Sequence, residues 1–477
     1  MSDARRALRR FVVAAGLVAA LLFIVVGLAF DLQTYGDGSI FSYAVATREV
    51  WAFHWHNIAT RVATYALTLA PGEFAVALTG APAAGVFVYG LFFFAAPAVS
   101  LAAAFALDRD IGRPYFVASC AATALLAPLV FGFPTEMWIA VTLFWPAFSC
   151  AMTTRVSAPS SVLLAVLTCT LVLSHEGGLV LGFGMVAATA LLGFRDARFF
   201  RALASYSLAV AAWLAVNQIA QPDSYFGEVR LRAASEFFEA KIFASPLLVL
   251  LVAVLVGYAL VLAILPRIAA RRAPLIAMVV VATALAVWWA LFDTALHADN
   301  RYYLRTILLI GTCAFATVVG LMQLADKKTV VSRIAPLSRA LAFLKTDLFT
   351  RGAVGAVALV LVVHAVEIAK FLEGFVAYRA AVRALATGEA ADPELGAPFL
   401  VSSQRIADDL NRLSWFSTTP YLSALVADFR PNRLVVDPKG NYFWLSCATA
   451  TEAARAKRAA PEETREMIRV YSCLHRN

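Results

Sequence analysis

At 477 residues, the chain is 61% hydrophobic and only 15% charged, against about 25% charged in soluble domains. This excludes an ordinary soluble enzyme and points to an all-α polytopic membrane protein. The formal charge of +9 does not imply nucleic-acid binding, because excess Lys and Arg in such proteins gathers in cytoplasmic loops.

In chain order, Arg5, Arg6, Arg9 and Arg10 precede an apolar run over 11–30. A signal-peptide core spans roughly 7–15 residues, so this longer run is expected to be an uncleaved first helix. Further spans are expected at 83–107, 115–132, 137–153, 160–174, 178–194, 202–220, 246–265, 274–292, 303–324 and 353–371, making about eleven in a transmembrane domain over 1–372. That count places the N-terminus in the cytoplasm and the C-terminus outside. It puts 19 Lys and Arg in cytoplasmic loops against seven in external loops before the C-terminal segment, as orientation by positive charge requires. The apolar stretch 58–78 is expected to lie at the interface, because a crossing there would invert this bias over most of the chain; Thr60, Arg61 and Thr64 suit its polar face.

A long first external loop, 31–82, follows the first helix. In it, Tyr35-Gly36-Asp37-Gly38 presents a carboxylate on a turn, able to act as a base or to help hold a divalent cation. Asp31 reads as a boundary residue. His54-Trp55-His56 alternates, but no third ligand accompanies it; Trp51 and Trp55 fit an aromatic belt, with one of the two histidines left as a substrate contact. No firm metal motif and no phosphate-cradling glycine loop occur, and the cofactor is left unknown.

Ser174-His175-Glu176-Gly177-Gly178 joins two apolar spans by a tight external turn. Ionisable groups at such a position are costly and usually face a cavity. Pro134-Thr135-Glu136 brings one more carboxylate to the same side. The stretch from Asp293 to Arg305 adds His297, with Arg301 and Arg305 four apart on one helical face, suited to a lipid phosphate or to nearby carboxylates. His54, His56, His175 and His297 are all external. His364 and Glu367, in the last span, are the feature that best fits a transporter or lipid flippase.

The stretch 325–352 reads as a basic, amphipathic cytoplasmic connector. From 373 to 477 the chain turns polar and reads as a small α/β periplasmic domain, with strands at 399–402, 433–436 and 442–446 and helices at 404–413 and 462–470. Cys120, Cys150, Cys169 and Cys313 lie in spans; Cys447 and Cys473 are the external pair, and their spacing leaves a disulfide open.

This layout, with Asp37 in Asp-Gly-Ser-Ile-Phe-Ser-Tyr, Ser-His175-Glu176 and Asn-Arg301-Tyr-Tyr, resembles the GT-C superfamily of membrane glycosyltransferases. Asp37 matches that superfamily's first-loop acidic position, whereas the paired acidic signature of many members is absent. The resemblance implies a polyprenyl-phosphate sugar donor in a bacterial inner membrane and a glycan, lipid or protein acceptor on the periplasmic face. Asp37, His175 and Glu176 are then the expected catalytic residues, with Arg301, Arg305, His54, His56 and His297 binding substrate. A multi-pass transporter and a non-catalytic envelope scaffold are the competing readings.

Overall fold

The structure, a computed structural model, describes residues 3–48, 58–153, 156–222, 226–228, 231, 235, 245–265, 272–292, 301–325, 346–389, 392, 400–414, 418–429 and 432–437. His54, His56, His297, Cys447, Cys473, the expected strand at 442–446, the helix at 462–470 and most of the connector at 325–352 lie outside these residues.

Among the described residues, eight helices are long and apolar enough to cross a membrane. They are α1 (Asp3–Ala29), α3 (Ala59–Thr79), α4 (Pro82–Leu107), α9 (Ala197–Ala220), α10 (Pro246–Ile264), α11 (Ala273–Leu291), α12 (Arg301–Ala325) and α13 (Asp347–Thr387). Eleven membrane spans are not confirmed. Four of the anticipated segments form shorter helices: α5 (Pro114–Leu125), α6 (Glu136–Met152), α7 (Ala158–Val172) and α8 (Gly177–Ala190). The sequence marks an end of three of them. Pro114 and Pro159 fall in first turns, Pro128 turns the end of α5 into a short 3-10 segment (Ala127–Val130), and Thr135 opens α6 in an extended conformation. The short α6 is also the most enclosed, with Trp138, Phe144, Trp145 and Phe148 all buried. Apolar side chains around its whole circumference suit a helix surrounded by protein.

Side-chain contacts between helices fix which ends lie together. Phe93 of α4 stacks near Trp138 of α6, and Ser100 further along α4 donates to the carbonyl of Thr142 further along α6, so these two helices run parallel. The first turn of α3 reaches the turn between α7 and α8, where Ala63 N donates to Leu173 O at 3.0 Å and Thr64 Oγ1 to Ser174 O at 2.9 Å. Its last turn joins the start of α4 through Gly80 and Ala81, and its second half packs back along α4. Both ends of α3 therefore sit at the end of the bundle where α4 and α6 begin. Despite its length, α3 does not traverse the bundle.

The same end receives α2 (Asp37–Thr47), which is buried on almost every side. Tyr35 anchors the approach to it, its ring edge-on to Phe133, Phe371 and Phe375 at centroid distances of 6.0, 5.1 and 5.1 Å. Gly36 then turns the chain at φ 54° and ψ −130°, a conformation that favours glycine. Asp31 takes an ion pair from Arg379 at 3.0 Å, and Arg379 also donates to Phe30 O at 2.9 Å, so the first loop is tied to α13.

Helix α13 runs unbroken through 372–373, where the composition changes. Phe371, Phe375, Tyr378, Val382 and Ala386 form a continuous buried stripe at helical spacing. Beyond it, β1 (Leu400–Ser402) and β2 (Leu434–Val436) pair in parallel, with α14 (Ala407–Leu413) and α15 (Thr419–Val426) between them. Helix α15 packs on α2: Ser39 Oγ donates to Thr418 O at 3.1 Å and the rings of Tyr43 and Tyr421 meet at 5.5 Å.

A test of this arrangement lies at Gly38. A Cβ there would meet Gln33 O at 2.4 Å and Pro134 Cγ at 2.5 Å, a backbone and a ring that cannot rotate away. Gly38→Ala is expected to cost about 1–3 kcal/mol through overpacking, read as a lower unfolding midpoint of the purified protein. A midpoint equal to wild type would show that α2 does not seat against the 133–136 segment.

Candidate functional site

Arg61, in the first turn of α3, holds two carboxylates that are far away in sequence. Its Nη1 meets Glu136 Oε1 at 2.6 Å, and its Nη2 and Nε meet Glu176 Oε2 at 2.9 and 3.2 Å. All three side chains are largely buried. The planar guanidinium suits this task, since it presents fixed donors to one carboxylate in a fork and keeps another donor for the second. Burial alone would raise Glu176, but the Arg61 charge and hydrogen bonds hold it down at about 2. Glu136 opens α6, where the helix amides also favour a negative charge.

Asp37 is the first residue of α2 and is half-buried. Its neighbour Gly38 lies against Pro134, which brings it to the segment that carries Thr135 and Glu136. Burial pushes the carboxyl up to about 6; Glu136 adds to the rise, while Arg305 and Arg61 oppose it. Arg305, on the second turn of α12, donates to Thr135 Oγ1 at 3.3 Å and lies over the Phe133 ring at 5.1 Å. Three carboxylates thus face two guanidinium groups. With Asp37 ionised these five groups carry one excess negative charge, and with Asp37 protonated they carry none. The group that takes up a proton here is Asp37.

His175 lies in the turn between α7 and α8. Burial lowers it to about 4, against the pull of Glu176, so it is neutral near pH 7. Its Nδ1 accepts from Gly177 N at 2.9 Å, and this acceptance assigns the proton to Nε2. Nε2 stands 3.7 Å from Glu176 Oε2, beyond hydrogen-bond length. His175 is therefore a neutral donor with a fixed tautomer. The turn is as tight as its glycines allow: a Cβ on Gly178 would lie 2.3 Å from Leu171 O.

Of the expected site residues, the structure brings Asp37, His175, Glu176 and Arg305 to one end of the bundle. Arg301 begins α12 one turn before Arg305, and its side chain lies outside the described residues. Arg61 and Glu136 are additions. Both were visible as external charges, but no local pattern links residues 75 and 115 positions away from Arg61. His364 and Glu367 are buried and partnered separately, His364 Nε2 with Leu125 O at 3.0 Å and Glu367 Oε1 with Trp289 Nε1 at 2.8 Å. Among the described residues, no group of three or more His, Cys, Asp or Glu is placed to hold a metal ion.

No protein-family model matches the sequence, and no curated protein matches it. Among solved structures, the chain is similar to the oligosaccharyltransferase of Archaeoglobus fulgidus, determined in complex with zinc and sulfate. The two share 14% identity at a TM-score of 0.32, over 72% of this chain and 53% of the archaeal protein. The chain thus spans about half the length of that enzyme.

Arg61→Met would leave Glu136 and Glu176 buried without a counter-charge, a change expected to cost about 3–5 kcal/mol. Adding Glu136→Gln and Glu176→Gln should recover most of the loss, because neutral amides need no counter-charge. Unfolding of the three proteins by denaturant checks this; equal stability of Arg61→Met and wild type would remove the clamp from the fold's energetics.

Proposed function

We propose that the chain is a membrane glycosyltransferase of GT-C type, acting on the periplasmic face of a bacterial inner membrane. It moves a sugar from a polyprenyl-phosphate donor to a glycan, lipid or protein acceptor. The observation that carries this reading is the convergence on the 133–136 segment, at one end of an apolar bundle, of the Arg305 guanidinium and of Asp37, a half-buried carboxylate raised to about 6. A base with that value is ionised near neutral pH and still accepts a proton readily. Sugar transfer from a lipid phosphate needs both groups, a proton acceptor for the incoming hydroxyl and a cation for the departing phosphate.

In the reaction, the acceptor O–H gives its proton to Asp37 as its oxygen bonds the anomeric carbon. The bond from that carbon to the phosphate oxygen breaks, and the electron pair leaves with the phosphate, whose charge Arg305 meets, with Arg301 one turn away. His175 offers Nε2–H to a sugar hydroxyl. Glu176, engaged by Arg61, acts as a positioning residue for His175. His54, His56 and His297 remain candidate substrate contacts, and a divalent cation remains a candidate cofactor.

Two experiments test this reading in vesicles that hold the full chain and a labelled polyprenyl-phosphate sugar. Asp37→Asn should lower transfer by about 10²–10⁴-fold, the usual contribution of a positioned base, while the protein still folds; full activity would remove Asp37 from that role. The wild-type rate should fall as pH drops through about 6, since Asp37 must be ionised to act. Arg305 lowers the value of Asp37, so Arg305→Met should move this acid limb to higher pH as well as slow transfer. A limb that stays in place would separate Arg305 from Asp37.

A further inference from the structure

The segment 31–43 meets the C-terminal part of the chain at every fourth residue. Asp31 pairs with Arg379 at 3.0 Å, and Tyr35 sets its ring edge-on to Phe371 and Phe375, all three on α13. Ser39 Oγ lies 3.1 Å from the carbonyl of Thr418, the residue before α15, and the Tyr43 ring meets Tyr421 of α15 at 5.5 Å. On α2, Ser39 and Tyr43 are one turn apart and share a face. Another face carries Gly38 and Phe41, the first against Pro134 and the second against Tyr89 of α4 at 6.5 Å. Helix α2 is thus wedged between the membrane bundle and α15, with Asp37 at its N-terminal edge.

The start of α2 lacks the usual means of holding its own shape. Its N-cap is Gly36, at φ 54°, which has no side chain to close the first turn. The Ser39 hydroxyl takes over that task. It lies 2.9 Å from Gly36 O, one residue before Asp37, as well as 3.1 Å from Thr418 O, and the residue is 1% exposed. One proton shared between two carbonyls is a three-centre bond, common at helix ends. It ties the turn that carries Asp37 to the backbone at the start of α15. Ser39 is about 200° around the helix from Asp37, so it acts through the shared turn rather than by facing the carboxylate. We infer that Ser39 is a positioning residue, by which α15 holds the first turn of α2 and so fixes where Asp37 stands. This rests on the transferase reading only for what Asp37 does; the restraint on its position is measurable without turnover.

The test follows the Asp37 carboxyl in the full chain in nanodiscs, by infrared spectra recorded across pH. Its protonated C=O band is the one absent from Asp37→Asn. In wild type that band should be half-developed at about 6. Burial and Glu136 raise the Asp37 value, Arg305 and Arg61 lower it, and Tyr89 of α4 also feels its charge. All of these effects fade as water reaches a loosened turn, and their sum is a rise, so the midpoint falls. Ser39→Ala is expected to lower it by about half a pH unit or more, toward the ordinary carboxylate range. Tyr421→Leu, which removes the ring contact of α15 on Tyr43, should shift it the same way; it carries the comparison if Ser39→Ala does not fold. In transfer assays Ser39→Ala should lose roughly tenfold in kcat with KM unchanged, as a misplaced base predicts. Its acid limb should move with the band. A band midpoint unchanged in both variants would overturn the proposal even if both unfold more easily, because a purely structural contact gives that result. A shift in Ser39→Ala without one in Tyr421→Leu would also overturn it, since α15 would then play no part. A shifted band in a protein that transfers no sugar from any polyprenyl-phosphate donor would support the positioning and sink the transferase reading. Transfer with kcat and acid limb unchanged in Ser39→Ala would sink the positioning alone.

Discussion

Two carboxylates buried at one end of an apolar bundle need a counter-charge, and Arg61 supplies it to both at once. Glu136 and Glu176 come from different helix ends, and each would lose more by desolvation than it gains from packing if left alone. A lysine could neutralise one of them but could not span both in fixed geometry; the guanidinium fork can. The pairing therefore does more than cancel charge. It fixes the first turn of α3 against the start of α6 and the α7–α8 turn, so that three segments distant in the chain share one frame.

The rest of the site follows from that frame. With Glu176 held, the α7–α8 turn has a set position, and His175 within it is left with Nδ1 satisfied and Nε2–H outward from its backbone partner. With α6 held, the 133–136 segment becomes a floor on which Gly38 can lie, and Asp37 arrives at the edge of the clamp. Asp37 is not part of the ion-pair network. It feels Glu136 as a like charge and burial as a cost, and these two effects outweigh the two arginines. The clamp and the base differ by this single fact: Glu176 is held far below the usual carboxylate range, and Asp37 stands above it.

How much of this could be read from the sequence depended on whether the signal was local. The Ser-His-Glu-Gly-Gly turn was legible because ionisable residues directly after a leucine-rich span have few bland explanations. The gathering of Asp37, His175, Glu176 and Arg305 at one end of the bundle could not be read from any one stretch, because their segments meet only through the packing of α2, α6, α12 and the α7–α8 turn. Arg61 was legible only as a polar face on an apolar helix, since its partners are set by tertiary packing. The change in composition at 373 was real but marked a different event. There the outer face of α13 turns polar while its inner stripe continues through Phe375, Tyr378 and Val382, so the helix passes the boundary without a break.

The charge balance of the site couples the two halves of the proposed reaction. Before transfer, Asp37, Glu136 and Glu176 exceed Arg61 and Arg305 by one negative charge, which favours uptake of a proton. As Asp37 takes the acceptor's proton, that excess disappears at the moment when negative charge grows on the departing phosphate. Arg305 is then relieved of one of its two tasks, since it no longer faces an ionised Asp37. Its field becomes available to the leaving group only as the nucleophile forms. A fixed pair of like arrangement, with Asp37 permanently ionised against Arg305, would lack this exchange. In the proposed reaction, the raised value of Asp37 would let proton uptake coincide with the growth of charge on the phosphate.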